Sequence, residues 1–171
     1  METTDQTWLT EEELHTWLPL VGVLIKLPAA FDEQLQRDAG MNHFEYLALM
    51  SLSRHEDHSV RMSELAVLTN GSLSRLSQVI SRLEKRGWVR RAPDPTDGRC
   101  TLAILTDAGL KKLLDTVPGN ADEIRRLVFD PLTKAQVRQL RNIAYRIIKA
   151  IDPSIADREP DIRSFHPRGT C

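Results

Sequence analysis

Between residues 61 and 100 the chain gathers side chains suited to holding a polyanion and reading hydrogen-bonding groups on it. This stretch has 8 Lys/Arg against 4 Asp/Glu. Ser74, Arg75, Ser77, Gln78, Ser81, Arg82 and Lys85 fall on the side of a helix that Leu76, Val79, Ile80 and Leu83 leave open. Glutamine makes paired hydrogen bonds to adenine N6 and N7 in the major groove, which suits Gln78. Arg82 and Lys85 lie one or two turns further along and suit phosphates. Arg99, within a run of turn formers, suits a minor groove, where readout is largely A·T versus G·C. Arg90 and Arg91 add positive charge on the adjoining strand. A solvated basic helix beside a tight hairpin would also account for any one of these residues. The specific signal is helix, turn, helix and basic hairpin in one contiguous segment, Ser63 to Gly109.

The net charge of -1 over 171 residues hides this local polarity. Residues 1–60 carry 3 Lys/Arg and 11 Asp/Glu, residues 61–100 carry 8 and 4, and residues 101–171 carry 12 and 9. A basic segment behind an acidic one fits a phosphate footprint on one face and a different task on the other. The length suits one compact domain or two small ones, with enough core to need neither metal nor disulfides. The 2 cysteines, Cys100 and Cys171, do not make a disulfide framework. No apolar run approaches the roughly 18 to 20 residues of a membrane span, and Met1 to Gln6 is polar and acidic. A soluble cytoplasmic protein without a membrane partner is expected. A nucleophile elbow, a P-loop, a dinucleotide fingerprint and a metallohydrolase pattern are all missing, so neither an enzyme nor a cofactor is expected.

These residues need elements to position them. Thr10-Glu11-Glu12-Glu13 fits a capping box, and Leu14, Trp17, Leu18, Val21, Leu24 and Ile25 continue as one apolar stripe through Phe31 and Leu35. Pro19 and Pro28 predict a kinked helix or two shorter pieces. A second helix spans about Asn42 to Ser53. Ser63 is expected to cap a short helix (Glu64 to Leu68), Thr69-Asn70-Gly71 to turn the chain, and Ser72 to open a longer helix ending at Gly87. Trp88 to Arg91 and Thr101 to Leu105 read as a β-hairpin around Pro93 to Arg99. Thr106-Asp107 opens a helix that bends or breaks at Pro118-Gly119. Thr133 caps the last helix, whose stripe includes Val137, Leu140, Ile143, Ala144, Ile147, Ile148 and Ile151. The fold class is therefore mainly α, a winged helix-turn-helix with one β-hairpin wing and N- and C-terminal dimerisation helices. Its parts are a tail at 1–9, helices at 10–53 and 106–151 around a DNA-binding unit at 61–105, and a poorly ordered tail at 152–171.

The terminal stripes are longer than one small winged helix can cover, so a second copy is expected on Leu14, Leu18, Val21, Leu140, Ile143 and Ile147. A two-fold pair sets its two recognition helices one helical turn apart on double-stranded DNA.

Four segments carry a family resemblance: Ser63-Glu64-Leu65-Ala66, Ser81 to Val89, Asp94-Pro95-Thr96-Asp97-Gly98-Arg99 and Leu105 to Gly109. They resemble the MarR-type winged-helix transcriptional regulators, densely over this region and more weakly from about Leu14 to Ile151. The resemblance implies an obligate homodimer on a pseudo-palindromic site, acting as a repressor that a small ligand releases. It places recognition contacts on Ser74, Ser77, Gln78 and Arg82 and the wing contact on Arg99 braced by Asp97. Several members have arginine where Gln78 stands, so their base preference does not transfer. A ligand-responsive activator of the same fold, or a winged-helix module that binds protein or RNA, stays open at this point.

Other residues carry weaker signals. His55 and His58 are metal-ligand types in a polar loop without a nearby cysteine, and solvated histidines are expected there. Cys100 follows Arg99, which favours a thiolate, yet an inert strand cysteine is the expectation. The resemblance also implies a ligand crevice, with aromatic ligands common in the family, and Trp17, Arg37, Asn42 and His43 are the candidates for lining it, although Trp17 suits core packing equally well.

Overall fold

The computed structural model describes residues 8–153. Six α-helices and three strands follow in the order α1 (Glu11–Ala39), α2 (His43–Ser53), β1 (Ser59–Arg61), α3 (Met62–Leu68), α4 (Leu73–Lys85), β2 (Val89–Pro93), β3 (Thr101–Leu105), α5 (Asp107–Ile124) and α6 (Lys134–Ile151). One π-helical turn, Arg125–Phe129, continues α5.

The caps form where the sequence places them, with one exception. Thr10 with Glu13 and Thr133 with Gln136 make reciprocal capping boxes, and Asn42 with Glu45 makes a third. Ser72 Oγ accepts the Arg75 N–H at the start of α4, and Gly87 closes that helix at φ 73°, a left-handed conformation that glycine adopts without a Cβ penalty. The exception is α3. It starts at Met62 with Arg61 as the N-cap residue, so the expected cap Ser63 lies inside the helix. The strand preceding α3 runs directly into its first turn and leaves no room for a serine cap.

That strand was not expected. β1 pairs antiparallel with β3 (Val60 opposite Ala103), and β2 pairs with the other edge of β3 (Val89 opposite Leu105), giving a sheet of order β1-β3-β2. The expected hairpin is therefore two strands of a three-stranded sheet.

α1 is continuous through Pro19 and Pro28, and α5 through Pro118 and Gly119. All three prolines are exposed. The carbonyls four residues earlier that lose an N–H partner can turn to water, which makes an uninterrupted helix tolerable. By length and composition alone α1 could cross a membrane, which corrects the expectation that no segment qualifies. The expected tails at 1–9 and 152–171 lie almost wholly outside the described residues.

The core sits under the helix-turn-helix. Leu35, Met41, Leu49, Leu52, Leu65, Leu76, Ile80, Leu83 and Leu113 have zero exposure. Each such side chain contributes roughly 1.5 to 3 kcal/mol by leaving water. The expected packing of Leu65 and Ala66 against Leu76, Val79, Ile80 and Leu83 is present, all six being buried. α6, by contrast, has no buried residue.

Candidate nucleic-acid interface

Burying Leu76, Val79, Ile80 and Leu83 fixes which side of α4 faces out. Ser74, Arg75, Gln78, Arg82 and Lys85 are exposed, and Ser77 and Ser81 are half-buried. Ser74 and Gln78 have no side-chain partner among the described residues, so their donors and acceptors are available to an incoming surface.

The cations divide into two groups. Arg82 donates through Nε to Glu45 Oε1 at 3.0 Å, and Arg86 reaches Glu45 Oε2 at 3.5 Å and the Gly40 carbonyl at 2.9 Å. Glu45 is only 2% exposed, so this carboxylate ties the recognition helix to α2. Arg75 lies 4.3 Å over the Phe44 ring. Arg91 is bound to its own fold: it pairs with Glu84 at 3.2 Å and donates to the Ser77 carbonyl at 2.7 Å and to Ser81 Oγ at 3.1 Å. Lys85 and Arg90, both exposed, have no ion-pair partner among the described residues.

The wing turn is a compact hydrogen-bonded unit. Asp94 Oδ1 accepts the Thr96 hydroxyl and N–H at 2.7 and 2.8 Å, and Asp94 Oδ2 accepts Arg61 Nε at 2.6 Å. The Thr96 bonds, with Arg61 adding, hold the Asp94 carboxyl down to about 2. Arg99 stands at the tip, 92% exposed, and Asp97 accepts its Nε at 3.0 Å and Nη2 at 3.2 Å. These bonds also hold the Asp97 carboxyl below the usual aspartate range. Arg99 therefore has a fixed root and a free face. Between wing and helix lies an open cavity of about 490 Å³, lined by Arg61, Ser63, Leu73, Ser77, Arg91 and Arg99 among others. Sequence reasoning passed over Arg61 and Leu73 and read Ser63 only as a helix cap. The pairing of Arg61 with Asp94 spans 33 positions and gives no local signal.

The other candidates scatter. Trp17 lies twenty residues before Arg37 on α1, about 30 Å along a helix axis, and borders a separate pocket with Leu9 and Leu20. Arg37 is exposed beside Asp38, Asn42 caps α2, and the His43 ring stacks on Phe31 at 5.7 Å. Burial lowers the His43 pKa, and its Nδ1 is buried without a partner among the described residues. His55 reaches Glu64 at 4.0 Å, and no metal-ligand cluster occurs among the described residues. Cys100 is half-buried, with Sγ 3.8 Å from Asp97 Oδ2. Among the stripe residues Leu14, Leu18, Leu140, Ile143 and Ile147 are exposed and Val21 is half-buried.

Sco3205, a MarR family transcriptional regulator from Streptomyces coelicolor solved in complex with DNA, is 43% identical to this chain and superposes with a TM-score of 0.80, over 86% of this chain and 96% of that one. The chain belongs to the MarR family. A second MarR family regulator from Streptomyces coelicolor, AbsC, is 32% identical with a TM-score of 0.77, over 84% of this chain and 97% of its own. The MarR family model matches residues 39–99, from the end of α1 to the wing tip. Among curated relatives, the transcriptional repressor MprA of Escherichia coli is 29% identical over 113 residues, 66% of this chain. That match spans 64% of the length of MprA. MarR membership agrees with the mainly helical winged helix-turn-helix built above.

Proposed function

We propose that this chain is a sequence-specific DNA-binding transcriptional regulator, a homodimeric repressor on a pseudo-palindromic operator that a small ligand releases. One observation carries the reading: an exposed polar recognition face and the free tip of Arg99 flank one open, arginine-lined cavity. The helix suits a major groove and the wing the adjacent minor groove. The solved complex of Sco3205 with DNA supports this, and the name of MprA supports repression.

Homodimerisation is supported by the faces left uncovered. Leu18, Leu24 and Ile25 on α1 and Ile143, Ile148 and Ile151 on α6 are between 45% and 78% exposed. Contiguous apolar surface of this kind marks an interaction site. Charge adds a second reason: Lys134–Ile151 holds five Lys/Arg and no acid, whereas Glu11, Glu12 and Glu13 open α1. Two-fold pairing lets opposite ends of the two copies meet. A protomer buried this way also accounts for the apolar length of α1 without a membrane.

Release by a ligand falls at the C-terminal end of α1. Its residues are Arg37, Asn42 and His43, at the junction of α1 and α2, beside the Glu45 link to the recognition helix.

The test is salt dependence on a duplex selected by the protein from a random-sequence library. Neutralising several phosphates makes log affinity fall linearly with log salt, with a slope of about -0.9 per phosphate. A flat profile would favour an apolar protein-binding module instead.

A further inference from the structure

We infer that Leu73 is a specificity residue that reads the 5-methyl group of thymine in the major groove, an inference that rests on the DNA-binding reading above. Leu73 is the first residue of α4, next to the capping Ser72, and is 53% exposed. The N-terminal residues of a recognition helix are the ones that reach base edges. The Cα–Cβ bond of a helical residue tilts toward the N-terminus, so Leu73 leads the helix into a groove. Its neighbours are mixed: with Met62 and Cys100 it forms the apolar part of the wall of the 490 Å³ cavity, whose polar part includes Arg61, Arg91, Arg99 and Ser77. The core side of its own helix, at Leu76, Val79, Ile80 and Leu83, is already filled and buried.

When a duplex enters, the free face of Arg99 meets the minor groove and the serine hydroxyls meet donors and acceptors. Leucine can do neither. The one apolar group that the base pairs present in the major groove is the thymine methyl, and apolar side chains contact it. The short side chains of Ser74 and Ser77 beside Leu73 let the helix come close enough for that contact. Gln78 reads polar atoms of adenine, so Leu73 and Gln78 together bias the half-site toward A·T pairs by two independent means.

The probe is a duplex that the full-length protein selects from a random-sequence library. Each thymine is replaced in turn by deoxyuridine, which removes only the methyl. We expect one uracil-sensitive thymine in each half-site, with about fourfold weaker binding per substitution, the loss of one buried carbon. In Leu73→Ala the same replacement costs nothing further, and in Leu73→Met, which keeps apolar reach, part of the sensitivity returns. Thermal melts matching the wild type show that the variants fold. Uracil sensitivity undiminished in Leu73→Ala, or no sensitive thymine in the wild type, overturns the role of Leu73 and leaves DNA binding standing. Failure to retain any duplex over random competitor overturns both.

Discussion

Arg99 and His43 illustrate two fates for an ionisable side chain. Arg99 is rooted by Asp97 and otherwise exposed, which leaves its outer face open to the proposed duplex. Arg99→Ala should cost about 1 to 3 kcal/mol of affinity for a selected duplex, measured by fluorescence anisotropy, with an unchanged melting temperature. His43 is the reverse case. Its folded pKa lies below the ordinary 6.5 because burial disfavours the imidazolium, with the charge of Asp32 opposing. The unfolded chain therefore takes up this proton first as the solution is acidified. Stability from the neutral ring is complete above about pH 6.5 and declines as pH falls below it. Replacing it with phenylalanine, which keeps the stack on Phe31, should flatten the melting temperature between pH 7 and 5. A profile as steep as that of the wild type would assign the acid sensitivity to other groups.

At the scale of elements, the close fit between α5 and the wing is set by one small residue. Thr106 caps α5, its hydroxyl bonds to the Gly87 carbonyl at 2.7 Å, and Gly109 packs against the Trp88 backbone. A Cβ at position 109 would overlap the Trp88 carbonyl oxygen and approach Leu105 Cδ1 to 2.8 Å. Gly109→Ala should therefore destabilise the protein by about 1 to 3 kcal/mol, read by denaturant melts. Elements with strong local signals were legible in the sequence: the Thr10, Asn42, Ser72, Thr106 and Thr133 starts, the α4 stripe and the turn formers of the wing. What the sequence hid depends on partners distant along the chain. β1 has three residues, too few for a two-residue period, and exists because β3 offers it an edge. The prolines of α1 suggested breaks because their exposure, which decides whether a lost hydrogen bond matters, is a tertiary property. Arg82 and Arg91 looked like free cations. Glu45 lies 37 residues before Arg82, and Ser77, Ser81 and Glu84 approach Arg91 only once β2 folds back along α4.

For the molecule as a whole, the described protomer keeps one well-buried centre and leaves two helices uncovered. The core of α2 to α5 holds the recognition helix and wing at a fixed spacing. α6 and the first half of α1 bury almost nothing of their own. This imbalance accounts for both an isolated helix with no buried residue and an α1 apolar enough to suit a bilayer. In the proposed homodimer each uncovered face finds its complement in a second copy related by a two-fold axis. Such pairing would also set the distance between recognition helices, making assembly and operator recognition one geometric requirement of the proposal. The most direct test is sedimentation of the full-length protein, alone and with a selected duplex. The account predicts two chains per particle when free and one such pair per duplex when bound. Single chains in dilute buffer, or single chains bound to the duplex at saturation, would contradict it.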